Sequence, residues 1–318
     1  MATLVDQFCC DLCFGHNYSI VQNESPDNCQ LVICENCTLI SAYPLLTPKA
    51  LDAFYDDSFA NDPGSHLRSG SGPPAKEHLE KERVKASKWG LSLISQYIDP
   101  TGKNVLDLRC RTGALSLLLK ERGAIVTCVE PFRNNANVAR NARKISNVIE
   151  LPFSKFDQFP QQENGGYDIV NVLAHHVLAH VLSPGVFLRQ VFDSLKPEGF
   201  LFLDEKDIFS PTSHKKPSVL STGKAHQFHL GVQTTQLYLQ SAGFEVLECD
   251  LDTTRKSDFR HIRAVAKKPK KERARSPEIS KTPSTSTIQR RLWVLEKTSQ
   301  MRLLALYSKR RIKKWIRS

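Results

Sequence analysis

The sequence predicts an α/β fold: a largely parallel sheet with helices on both faces, preceded by a small cysteine-rich segment. Three observations carry this. Short apolar runs alternate with longer helical stretches between residues 101 and 268. Six of the nine cysteines fall in the first 37 residues. The chain of 318 residues, 40% apolar and 24% charged, has the composition of a globular protein with about two domains. The expected boundaries are a cysteine-rich segment over 1–42, a connector with a helix over 43–100 and the α/β domain over 101–268. A disordered linker rich in Lys, Ser, Thr and Pro over 269–287 and a basic amphipathic helix over 288–318 follow.

Within the α/β domain the elements follow in order. Val105 to Leu108 is a short buried strand stopped by a turn at Thr112-Gly113, and Ala114 to Lys120 is helical. Ile125 to Val129 is the second strand, ending at Glu130-Pro131, and Asn134 to Lys144 is a helix. Val148 to Leu151 and Tyr167 to Leu173 are the third and fourth strands. An apolar-periodic helix over Gly185 to Leu195 leads to a fifth strand at Phe200 to Leu203. Thr234 to Ala242 is a helix closed by Gly243, and Phe244 to Glu248 and Ile262 to Ala266 are closing strands. In such sheets ligands sit at the carboxyl ends of the strands.

The cysteine cluster carries the first chemical signal. Cys10-x2-Cys13 and Cys34-x2-Cys37 stand 20 residues apart. Two such knuckles place four thiolates around one Zn²⁺, and four thiolates leave no open position, so this zinc is structural. Buried free thiols and a redox dithiol are the other readings of the same residues. Clustering, an odd count and no leader-like start argue against a disulfide framework and for a reducing, cytoplasmic setting.

The net charge of +11 is concentrated in the tail. Lys267 to Ser318 hold 17 Lys and Arg against three Glu, leaving 27 against 30 before them. The main body therefore lacks a general nucleic-acid footprint. The tail suits RNA, an anionic membrane surface or a partner protein. No window offers the ~18 apolar residues of a membrane span.

The turn after the first strand reads Asp107-Leu108-Arg109-Cys110-Arg111-Thr112-Gly113, and Glu130 follows at the end of the second strand. This resembles motif I and the ribose-binding acid of class I S-adenosylmethionine-dependent methyltransferases. Cys34 to Ile40, Tyr43-Pro44 and Phe54-Tyr55 resemble the leader of those members with an N-terminal zinc-binding segment. His176-Val177-Leu178-Ala179-His180, Leu195-Lys196-Pro197-Glu198-Gly199-Phe200 and Ala242-Gly243-Phe244-Glu245 resemble later family segments in the expected order.

The resemblance implies a Rossmann-like sheet, S-adenosylmethionine as cofactor and a small-molecule acceptor such as a carbohydrate or nucleotide sugar. It implies that Asp107, Arg109, Cys110 and Gly113 shape the cofactor turn, that Glu130 binds the ribose and that Asp157 meets the adenine. His176 or His180 would supply a base where the acceptor must lose a proton. His226, His229 and the acidic run Asp204, Glu205 and Asp207 are further candidates for acceptor contact. Arg109 and Arg111 stand where the motif has glycine, which leaves a non-catalytic scaffold open as an alternative. An RNA methyltransferase gripping its substrate with the zinc knuckle and basic tail is the other.

Overall fold

Backbone pairing begins in the cysteine-rich segment, where β1 (Tyr18–Gln22), β2 (Gln30–Cys34) and β3 (Ile40–Tyr43) form an antiparallel sheet. The computed structural model describes residues 8–22, 29–61, 77–162, 165–173, 176–209, 226–254, 261–271 and 284–293. Leu31, Ile33, Ile40 and Ala42 cover one face of this sheet and are buried. Two helices fill the connector, α1 (Pro48–Asn61) and α2 (Glu77–Ile94).

The α/β domain then runs through β4 (Asn104–Leu108), α3 (Ala114–Glu121), β5 (Ile125–Glu130), α4 (Arg133–Asn141) and β6 (Asn147–Glu150). After a 3-10 turn at Phe153–Lys155 come β7 (Tyr167–Val172), α5 (Val177–His180), α6 (Pro184–Ser194) and β8 (Leu195–Lys206). β9 (Phe228–His229), α7 (Val232–Ala242), β10 (Glu245–Leu251) and β11 (His261–Lys267) complete it. The second sheet has the order β10-β11-β8-β7-β4-β5-β6. β8, β7, β4, β5 and β6 are parallel, and β11 and β10 add antiparallel at one edge. Val105, Leu106, Leu108, Ile169, Val170 and Val172 are fully buried, as expected for parallel strands covered on both faces.

The chain leaves β4 towards β5 and β6 on one side, then returns to place β7 and β8 on the other. The topological switch point is therefore at the carboxyl end of β4, the position for a ligand crevice in this class of sheet.

Three features differ from the sequence expectation. The fifth strand is longer: Leu195 to Gly199, expected as a turn, already lies in β8, with Glu198 at φ +68° beside a register shift against β7. The cysteine-rich sheet is not closed within residues 1–42. It recruits β9, pairing Ser41 with Phe228 and Ile40 with His229. The tail also docks. Residues 285–293 form a helix whose Ser284 hydroxyl accepts from the Thr287 amide at 3.3 Å. Ile288 and Leu292 pack on Leu31, Ile33 and Ile40 together with Ile208 and Phe209. Most of the linker and the tail beyond 293 lie outside the described residues.

Candidate functional site

The cysteine knuckles are built alike. The residue after each pair, Phe14 and Thr38, takes a left-handed conformation (φ +59° and +61°). The amides of Phe14 and Thr38 donate to the carbonyls of Cys10 and Cys34 at 2.9 and 3.0 Å. These turns aim Cys10, Cys13, Cys34 and Cys37 inward, with all four sulfurs within 4.8 Å of one another. Cys10 and Cys37 are 3.5 Å apart, Cys13 and Cys34 3.4 Å. A tetrahedral zinc with Zn–S of ~2.3 Å needs sulfurs about 3.8 Å apart, so the donor set fits the ion. Cys9 is exposed and Cys29 half-buried, and neither belongs to the cluster.

Asp11, between the first two cysteines, docks the knuckle on the α/β domain. Its carboxylate accepts from the Ser183 hydroxyl, from the Gly185 amide at 2.9 Å and from the Tyr238 hydroxyl at 2.9 Å. Through β9 and Asp11 the cysteine-rich segment thus reaches the α/β domain at the start of α6.

At the switch point, the turn after β4 keeps the backbone that glycine permits but carries large side chains. Arg109, Arg111 and Gly113 have φ of +60°, +56° and +75°. Holding a non-glycine residue there costs about 1–2 kcal/mol each. The amides of Arg109 and Cys110 both donate to the Val129 carbonyl, at 2.7 and 3.2 Å, which ties the turn to β5. Gly113 suits the position: a Cβ there would sit 3.0 Å from that of Ala139, on a backbone at φ +75° that strains other residues.

Both expected acids close their strands. Asp107 is buried and accepts from the Ser116 hydroxyl and from Asn171 Nδ2 at 2.7 Å. Desolvation pushes its pKa up to about 6. Glu130 is fully buried. Oε2 accepts from the Arg111 amide at 2.8 Å, and Oε1 from Asn135 Nδ2 at 2.9 Å and the Phe132 amide at 3.3 Å. Burial pushes its pKa up, and the Asn135 hydrogen bond and the Arg109 charge oppose that.

Arg109 is only 4% exposed, and its guanidinium lies 5.3 Å from the centre of the Phe153 ring. Its charge acts on Glu130, Glu205 and Tyr55. Tyr55 packs on Phe153 at 4.7 Å, and Phe132 and His180 flank the same ring at 5.9 and 5.4 Å. A hollow of about 40 Å³ remains beside the turn, lined by Asp107, Arg109, Cys110, Arg111, Thr112 and Asn171 among others. The buried Thr112 hydroxyl that lines it has no hydrogen-bond partner among the described residues.

The two candidate bases part company. His180 is buried with Nδ1 2.6 Å from the Tyr55 hydroxyl. His176 caps α5 at φ +67°, and its ring stacks on His261 at 5.5 Å. His176 also lines a second hollow of about 30 Å³, with Glu205, His226, Phe228 and His229. Desolvation, with the charges of His226 and Lys206, holds His229 down to about 3. Glu205 accepts from the Leu178 amide at 2.7 Å, and burial pushes its pKa well up. Asp157 is half-buried in the turn after the 3-10 segment. Tyr55, Phe132 and Phe153 gather beside Arg109, and the motif reading does not assign them; only the Phe54-Tyr55 pair left a trace in the sequence.

The methyltransferase domain family model matches residues 79–249. The ubiquinone biosynthesis O-methyltransferase of Idiomarina loihiensis is 33% identical over 114 residues, covering 35% of this chain and 46% of that protein. The enzyme of the same name from Xanthomonas oryzae pv. oryzae is 27% identical over 156 residues, covering 44% and 64%. The chain thus spans about half the length of the curated relatives it matches. Among solved structures, the 1,6-didemethyltoxoflavin-N1-methyltransferase of Burkholderia thailandensis, with bound S-adenosylhomocysteine, is similar at 14% identity and a TM-score of 0.49. That match covers 77% of this chain and 98% of the other. The expected Rossmann-like sheet is present, with its acids closing β4 and β5. Because the family model runs from the start of α2 into β10, and so over more than half of the sequence, the chain belongs to the methyltransferase domain family.

Proposed function

We propose that this protein transfers a methyl group from S-adenosylmethionine to a small-molecule acceptor. The observation that carries the reading is the left-handed turn between two buried acids, Asp107 and Glu130, at the topological switch point of a parallel sheet. Bound S-adenosylmethionine supplies an electrophilic methyl on a sulfonium. Glu130 is the residue for the ribose hydroxyls, and its three protein donors fix the carboxylate in place. Asp107, Cys110 and Gly113 shape the turn, and the Thr112 hydroxyl, which has no hydrogen-bond partner among the described residues, fits a polar ligand atom beside it. Asp157 is kept for the adenine side, on its place in the turn after the 3-10 segment.

The acceptor side is the hollow at His176, Glu205, His226 and His229. With its pKa near 3, His229 stays neutral at pH 7 and orients the acceptor; a base that weak takes up few protons. His176 is the proton acceptor where one is needed, and His180 positions Tyr55. The four-cysteine cluster holds a structural Zn²⁺, and cysteines clustered at metal-ligand spacing support a reducing, cytoplasmic setting. No helix among the described residues is long and apolar enough to cross a membrane. The named relatives act in ubiquinone biosynthesis, so the first acceptors to test are small phenols, with carbohydrates and nucleotide sugars beside them.

The test is transfer of labelled methyl from S-adenosylmethionine to such a panel. We expect one small-molecule class to take up label, and His176→Ala to lower kcat with KM for the cofactor unchanged. An unlabelled panel, with no binding of S-adenosylhomocysteine, would overturn the reading.

A further inference from the structure

The residues of the β4 turn fit the cofactor in their acids and their backbone. One side chain stands against it. We infer that the Arg109 guanidinium occupies the cofactor crevice as an internal cation, and that S-adenosylmethionine binds only when this side chain withdraws. The inference rests on the cofactor site proposed above and adds a gate to it.

Four observations converge. The backbone of Arg109 is already in the conformation a glycine takes at this turn, at φ +60°. What has been added is therefore only the side chain. That side chain is not solvated, as a substituted surface arginine would be. It is 4% exposed and lies over Phe153, at the mouth of β4. Its charge reaches Glu130, the residue proposed for the ribose, and Glu205, which lines the acceptor hollow. It thus spans the two halves of the site. Finally, the space left beside it is small, about 40 Å³, room for about three waters.

Charge sharpens the argument. A guanidinium stays protonated across the accessible pH range, and the sulfonium of the cofactor is also a cation. An aromatic, acid-lined crevice favours either one, and their repulsion disfavours both together. Arg111 differs: it is only partly buried, and while its amide donates to Glu130 and its charge also reaches that acid, its side chain is not enclosed as that of Arg109 is. The gate is therefore assigned to Arg109 and not to the pair.

Calorimetric titration with S-adenosylmethionine and with neutral S-adenosylhomocysteine tests this on the full chain. The proteins are the natural one, Arg109→Gly, Arg109→Asn and Arg111→Gly. Asn tolerates the left-handed conformation, so it replaces Gly should that variant fail to fold. The expected result is S-adenosylhomocysteine binding at least about tenfold tighter in the Arg109 variants, with less than about threefold change in Arg111→Gly. Binding gained in the Arg109 variants where the natural protein shows none would place Arg109 in the crevice but overturn methyl transfer by the natural protein. The affinity ratio of the sulfonium form to the neutral form should also rise when Arg109 is removed. Arg109 variants that bind no tighter than a natural protein which itself binds would overturn the gate and leave the methyl-transfer reading standing. No heat from any of the four folded proteins would overturn both.

Discussion

The cysteine knuckles and the β4 turn solve the same backbone problem with opposite side-chain outcomes. Each depends on non-glycine residues held at positive φ: Phe14 and Thr38 in the knuckles, Arg109 and Arg111 in the turn. In the knuckles the strained residues lie outside the ligand set, and four sulfurs converge on a site of the right size for zinc. In the turn one strained residue is itself the occupant of the crevice. Non-glycine residues therefore hold a left-handed backbone in both places. Only the side chain decides whether the site that geometry builds is open.

The largest expected effect lies on the metal side. Cys34→Ser removes a ligand from a segment whose folding depends on the ion, and structural zinc contributes about 10 kcal/mol or more. The cysteine-rich sheet should unfold, release β9 and lose metal. The check is zinc content by elemental analysis, expected at one per chain in the natural protein, beside far-UV circular dichroism. An unchanged fold after chelation would contradict the zinc reading.

Asp11→Ala comes next. It strips the acceptor from Ser183, Gly185 and Tyr238, with an expected cost of about 3 kcal/mol in urea unfolding. If the knuckle and the α/β domain unfold as one unit, the loss appears as a midpoint shift. If they do not, the transition splits.

The turn gives a pH signature of similar size. The pKa of Asp107 is raised in the folded state, from the ordinary carboxylate value to about 6. Its contribution to stability is therefore present below pH ~4 and lost as the pH rises to about 6, roughly 3 kcal/mol in all. Asp107→Asn should lack this slope. Equal pH dependence of the two proteins between pH 4 and 6 would show that Asp107 ionises normally.

The smallest effect belongs to the docked tail. Ile288→Ala should cost about 2 kcal/mol at most and speed proteolytic removal of the tail, with the α/β domain intact. Unchanged cleavage would mean that the helix over 285–293 does not hold its place on the cysteine-rich sheet in solution.

The legible parts of this molecule are those that short spacing encodes. The paired cysteines, the unit β4-α3-β5 with Glu130 at its end, and β7 all lie within a few residues of where periodicity places them. What escaped depends on contacts distant in sequence. β9 is two residues long and becomes a strand only because Ile40 and Ser41 offer it an edge. Tyr55 enters the site by meeting His180, 125 residues away. The motif showed that Arg109 replaces a glycine. It did not show that the guanidinium turns inward over Phe153, because that ring arrives from beyond β6. The same holds for His176 and His180, at the cap and the end of one short helix yet directed to different neighbours.

The most direct test is a crystal structure of the full chain grown with saturating S-adenosylhomocysteine. The account predicts adenosyl density between the β4 turn and Glu130, with the Arg109 guanidinium displaced from the Phe153 ring. Ligand bound elsewhere, or no ligand with Arg109 still seated on that ring, would contradict it.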